Sequence, residues 1–313
     1  MEPMRTFRTA ATAATWVLPL AAAVAVGLPL ARLFWTIHRG RRVAQDAPRY
    51  VRRVPGAARV LIVGDSAGVG VGAGSRHLTI AGRFGQRYPG LTIGNLARNG
   101  SRTQDVSRLL ARLVRRCNRR APCPRSAYPS TSVATTPMQR RPYRPLLIHT
   151  GANDALHLKA PLHTAAHLDV ALRTASTLSE HTVVVTGGNL GLAPGLPFPL
   201  TWLRSWRQRR LRDLFRSGCA RRRALYVDLF HRADDDPTSG APRRFFAEDG
   251  VHPSAANYRL WFRAIDGIVR DADGATWMGA PVSVRTRYGT AVTLRSPCRD
   301  SARASPDECL AMS

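Results

Sequence analysis

Five short apolar runs, separated by longer helix-like segments, constrain this chain more than any other feature. Arg59–Val63, Leu91–Ala97, Leu146–His149, Thr182–Thr186 and Ala224–Asp228 read as strands that are largely continuous in apolar character. A strand apolar on both faces is buried on both faces, as in a parallel sheet covered by helices. Between these runs, helices are predicted over Leu78–Tyr88, Thr103–Val114, Leu162–Leu178, Leu200–Arg222 and Asn257–Arg270. In the second of these, Val106, Leu109, Leu110 and Leu113 recur at helical spacing. Strand and helix alternate from Val60 to Arg270, which predicts an α/β fold: a three-layer α/β/α sandwich around a five-stranded parallel sheet. With 313 residues there is room for one sizeable domain plus appendages. The domain is placed at residues 58–272, interrupted by an Arg/Pro/Ser-rich insertion loop at 115–144 and followed by a C-terminal extension at 273–313.

Ahead of the domain, Ala10–Ala31 is uncharged and rich in Ala, Val and Leu. At ~1.5 Å per residue a helix of that length spans a hydrocarbon core of ~30 Å. Residues 1–38 are therefore expected to form an N-terminal transmembrane helix or a signal segment. Arg5 and Arg8 precede the run, and Ala23-Val24-Ala25 resembles a cleavage site. Because apolar residues continue to Trp35 and Ile37, a retained anchor is favoured. Residues 39–57 then form a basic linker with Pro48 and Pro55 as breakers. Its arginines argue for a cytoplasmic domain by the positive-inside rule. Cysteine argues the other way: Cys117/Cys123 and Cys298/Cys309 are locally spaced pairs that suit disulfides, with Cys219 left as a buried thiol. The expectation is an extracytoplasmic domain tethered to the membrane.

The formal net charge is +27, and Lys159 is the only lysine among the 47 cationic residues. So strong a bias to arginine, beside abundant alanine, is a compositional trait as much as a sign of a polyanionic partner. No nucleic-acid-binding motif accompanies it, so no specific nucleic acid is expected. Attraction to anionic lipid headgroups follows from the charge alone.

The chemistry sits where the strands end. Leu61–Ser66 runs from a strand straight into Gly-Asp-Ser, Gly100 follows the second strand, and Asn153 follows the third. Asp249-Gly-Val-His252 precedes the last helix. In parallel sheets, sites collect at the carboxyl ends of the strands. A serine becomes nucleophilic when a histidine takes its proton and nearby donors hold the oxyanion that forms. Singly, each segment reads as a tight turn or a helix cap; together they place a nucleophile, a base, an acid and anion donors on one edge.

The segments GDS, NG, GAND and DGVHP resemble the four blocks of the SGNH hydrolases, also called GDSL esterases and lipases. The resemblance covers roughly Val60–Arg270, and the apolar N-terminus with its basic stretch is similar to a bacterial membrane-anchored subgroup. It implies Ser66 as nucleophile, His252 as general base and Asp249 as its orienting acid. The oxyanion hole it implies is the N–H groups of Ser66 and Gly100 with the side chain of Asn153, and it implies no metal and no organic cofactor. Asp65 and Asp154 are expected to brace the two loops. The implied substrate is an acyl ester, whether small molecule, lipid or glycan, with O-acyl transfer to or deacetylation of a glycan as the alternative. This sequence departs from the family pattern at Ala67, where the family name calls for leucine, and at Arg98-Asn99 before the glycine.

Other readings weaken on inspection. Gly64–Gly68 matches G-x-S-x-G, but that serine normally follows several strands and here it follows the first. The glycines at 68, 70 and 72 mimic a dinucleotide fingerprint, yet no Asp or Glu occurs between Ser66 and Gln104 to hold a ribose. His163 and His167 lie four apart near His157 without a matching carboxylate, so no metal is expected. An arginine-rich membrane protein that keeps the fold and only binds polyanions is the rival from outside enzymology. Oligomeric state is not readable.

Overall fold

The computed structural model describes residues 6–47, 49–120, 142–157 and 159–278. In chain order the elements are α1 (Thr6–Gln45), β1 (Arg59–Gly64), α2 (Ser66–Val69), α3 (Ile80–Arg87), β2 (Thr92–Asn95) and α4 (Thr103–Arg120). There follow β3 (Leu146–His149), α5 (Ala152–Leu156), α6 (Pro161–Leu178), β4 (Thr182–Thr186), α7 (Leu200–Arg221), β5 (Leu225–Asp228), α8 (Pro242–Phe245) and α9 (Ala255–Met278). The five strands form one parallel sheet in the order β2-β1-β3-β4-β5. The chain moves outward from β1 to β2, then returns to the other side of β1 for the remaining strands. That reversal leaves a crevice at the carboxyl ends of β1 and β3.

Alternation along each strand builds two cores. Val60, Ile62, Leu147, Val183 and Val185 face one layer, where they pack with Phe84 of α3 and Tyr258 and Ile265 of α9. Leu61, Val63, Leu146, Ile148 and Val184 face the other, against Leu110 of α4, Leu168 and Leu172 of α6, and Leu211 and Phe215 of α7. Both faces are covered, which is why the strands read as unbroken apolar runs.

The helices differ in extent from their sequence patterns at the polar ends. Periodicity in α4 fades after Val114, yet the helix continues through Arg115–Arg120, the first part of the expected insertion loop. Residues 121–141 of that loop lie outside the described residues, as do the end of the C-terminal extension and its hairpin signal at Tyr288-Gly289. Cys117 is exposed and Cys219 buried, and both are free thiols; Cys123, Cys298 and Cys309 are outside the described residues.

Of the segment expected to span the membrane or act as a signal, residues 6–38 lie in one 40-residue helix, α1, and among the described residues no helix is long and apolar enough to cross a membrane. The helix then continues through Arg39, Arg41 and Arg42 into what reads as a linker, so the linker is helical as far as Gln45. Beyond it the chain is pinned to the domain by Arg52, whose guanidinium donates to the carbonyls of Gly85 at 2.7 Å and Tyr88 at 2.6 Å.

Candidate active site

Ser66 opens α2, directly after β1. As the first residue of that turn, its N–H has no acceptor within the helix. Asp65 caps the turn: its Oδ1 accepts from the Ala67 N–H at 3.0 Å. His252 Nε2 stands 3.2 Å from Ser66 Oγ across a sequence separation of 186 residues. On the other side of the ring, His252 Nδ1 lies 2.5 Å from Asp249 Oδ2. Asp249 Oδ1 in turn accepts from the N–H groups of Val251 and His252, each at 3.0 Å.

That carboxylate is buried, at 3% exposure. Burial pushes the Asp249 carboxyl upward, but the hydrogen bond and charge of His252 and the two backbone N–H groups outweigh it. The result lies below the usual carboxylate range. An ionised Asp249 holds the imidazole with its Nδ1–H toward the acid and its Nε2 lone pair toward the hydroxyl.

The loop after β2 turns at Gly100, whose φ of 75° is left-handed backbone that favours glycine. A Cβ there would meet nothing within 4 Å, so conformation and not space selects the residue. Among the described residues the Gly100 N–H has no hydrogen-bond acceptor. Asn153, in the first turn of α5, donates through Nδ2 to the Ser101 carbonyl at 3.0 Å, tying the β3 loop to the β2 loop. Asp154 holds the same two loops together from beneath: its Oδ2 accepts from Thr103 N at 3.0 Å and Thr103 Oγ1 at 2.9 Å. Thus Ser66, His252 and Asp249 form one chain of contacts, and the loop after Gly100 is linked through Ser101 and Thr103 to Asn153 and Asp154.

Two neighbours carry no signal in the sequence. Asn95, buried at the end of β2, donates to the Gly68 carbonyl at 2.9 Å and accepts from Ala97 N at 3.1 Å, so it joins α2 to the Gly100 loop. His149, at the end of β3, pairs its Nδ1 with Asp65 Oδ1 at 2.9 Å and stacks on Trp261 with ring centroids 5.6 Å apart. Both members of that pair are buried, and His149 Nε2 and Asp65 Oδ2 have no hydrogen-bond partner among the described residues. A second acid–imidazole pair therefore stands behind the Ser66 turn. Its histidine sits inside an apolar strand run, where periodicity reads it as core.

Residues 62–260, more than half of the chain, match the model of the GDSL-like lipase/acylhydrolase family. The chain belongs to that family. Membership makes this GDSL-family protein an ester-bond hydrolase. No curated protein sequence matches it significantly. Among solved structures, similar folds include an extracellular lipase from Streptomyces rimosus, at 17% identity and a TM-score of 0.49, covering 68% of this chain and 100% of that one. Another is a lipolytic G-D-S-L family protein from Veillonella parvula, at 16% identity and a TM-score of 0.47, covering 66% and 96%. A mutant of an acetyl-xylooligosaccharide esterase from a Geobacillus species is similar at 14% identity and a TM-score of 0.46, covering 70% and 96%.

Proposed function

We propose that this GDSL-family protein is a serine esterase that cleaves carboxylic acyl esters through Ser66, His252 and Asp249. The observation that carries the reading is the 3.2 Å approach of His252 Nε2 to Ser66 Oγ, with Asp249 seated 2.5 Å behind the ring. His252 takes the proton of Ser66 as the oxygen attacks the ester carbonyl. The tetrahedral oxyanion is held by the N–H groups of Ser66 and Gly100 and by the Asn153 amide. Removing one donor of this kind costs about 3 kcal/mol of transition-state stabilisation. His252 then protonates the departing alcohol, and water, activated by the same ring, releases the acid and restores Ser66. No residue in this sequence of steps requires a metal or an organic cofactor.

The protein is further proposed to act at a membrane face outside the cytoplasm, lying against the lipid by its N-terminal segment. Support comes from large apolar side chains left exposed on α1, among them Leu28, Leu30, Phe34 and Trp35, followed by a run of arginines. Apolar surface buried at the interface and cations near anionic headgroups act together in such binding.

A fluorophosphonate probe and a series of p-nitrophenyl esters of rising chain length test the enzymatic reading. Wild-type protein is expected to label and to turn over at least the short esters, and Ser66→Ala to do neither. Labelling that persists in Ser66→Ala overturns the assignment. Labelling without hydrolysis of any ester points to acyl transfer onto another acceptor.

A further inference from the structure

Helix α1 touches three of the four segments that carry the site. Thr36 Oγ1 donates to the Gly195 carbonyl at 2.6 Å, and Arg32 donates to the Pro194 carbonyl. Gly195 is itself joined to the acid segment, its N–H donating to the Gly250 carbonyl at 2.9 Å. One turn further along α1, Gly40 lies against the acid: a Cβ built there stands 3.3 Å from Asp249 Oδ2. Nearer the end of the helix, Asn99 Nδ2 donates to the Ala44 carbonyl at 3.0 Å, one residue before Gly100. Val43 and Ala44, with Ala47 just past the helix, pack on Val69, Val71 and Ala97, which flank the nucleophile turn and the Gly100 loop.

A segment serving only as a tether has no reason to meet the acid, the anion-donor loop and the nucleophile turn at once. Nor has it a reason to carry glycine at the position facing Asp249, since glycine inside a helix costs about 1 kcal/mol relative to alanine. Close approach supplies the reason. With no side chain at residue 40, the helix backbone closes over the carboxylate and keeps water from it. An ion pair screened from water acts more strongly on its partner.

We propose that the inward face of α1, carried by Arg32, Thr36, Gly40 and Ala44, is a positioning element of the active site, a brace that fixes Asp249 and the Gly100 loop relative to Ser66, with Gly40 setting the place of the acid. This rests on the triad reading above. A cleft of about 890 Å³ lies between α1 and the acid loop, lined by Trp35, Arg39, Phe246 and Asp249 among others.

The test uses the full chain carrying Gly40→Leu, Gly40→Ala or, as a control on the exposed neighbour, Arg41→Leu. Turnover of p-nitrophenyl acetate is read beside the low-field proton resonance of the Asp249–His252 hydrogen bond and the melting temperature. Gly40→Leu is expected to lose kcat by roughly 10- to 100-fold, because small misplacements of a catalytic group carry costs of that order. KM stays within about twofold of wild type, since substrate contacts are untouched. The same variant loses the low-field resonance, Gly40→Ala falls between, and Arg41→Leu matches wild type. A folded Gly40→Leu with wild-type kcat and an intact resonance overturns the proposal. If Gly40→Leu does not fold, Gly40→Ala decides: unchanged kcat and resonance refute the brace, and lowered kcat at constant KM supports it. Should wild-type protein fail to label with fluorophosphonate, the triad reading falls, while the resonance still reports whether residue 40 places the acid.

Discussion

Both carboxylate oxygens of Asp249 are engaged. Its Oδ1 takes two backbone N–H groups, its Oδ2 takes the imidazole, and helix backbone passes over it at Gly40. Because its carboxyl is held below the ordinary value, the folded state binds fewer protons than the unfolded chain as pH falls toward that range. The stability contributed by Asp249 is therefore fully present above the unfolded value of about 4 and is lost as pH falls through the lower folded value. Asp249→Asn lacks this dependence. Urea unfolding followed from pH 7 downward is expected to show the gap between wild type and variant closing on the acid side of pH 4. At pH 7 the same variant is expected to lose about 10⁴-fold in kcat, because the amide favours the wrong ring tautomer. A gap that stays constant down to acid pH would show that the carboxyl is unperturbed.

At the scale of elements, the pair His149–Asp65 links the ends of β1 and β3, the two strands that bound the crevice. His149→Phe keeps the stacking surface for Trp261 and leaves the Asp65 carboxyl buried with one partner fewer. It is expected to cost about 1–3 kcal/mol, read as a lower urea midpoint at unchanged slope. His149→Asn, whose amide reaches the place of Nδ1, is expected to recover part of that loss. What the sequence discloses about these elements follows from how each is buried. Strands buried on both faces must be apolar throughout, so all five are legible within a residue or two, and with them the parallel sheet. Ser66, Gly100, Asn153 and the Asp249/His252 segment are legible because turn residues at strand ends have few other reasons to recur in that order. Helix ends are not, because Arg115, Arg116 and Arg119, which extend α4, are solvated and carry no periodicity. His149 and Asn95 are hidden because a single polar residue inside an apolar run reveals nothing of its partner. The contacts of α1 are hidden for another reason: Arg32, Thr36 and Asn99 reach backbone carbonyls and Gly40 meets the acid as bare backbone, so no matched pair of side chains signals them.

At the scale of the whole molecule, arginine dominates. The formal charge of +27 acts on any anionic surface, and α1 adds exposed apolar side chains, with Phe34 at 68% and Leu28 at 66%. Binding to vesicles rich in anionic lipid is expected to weaken several-fold as salt rises from low to physiological strength, because the screening length falls to about 8 Å. Neutral vesicles are expected to bind weakly at all salt concentrations, leaving only the apolar contribution. Equal sedimentation with neutral and anionic vesicles would show that the charge has no part in it. The separation of 186 residues between Ser66 and His252 has its own consequence for the newborn chain. Under the proposed triad, the hydroxyl is an ordinary alcohol while a ribosome is still short of residue 249, and it gains its reactivity only when the last segment docks. A covalent serine probe added to cells therefore counts finished copies and passes over nascent and truncated ones.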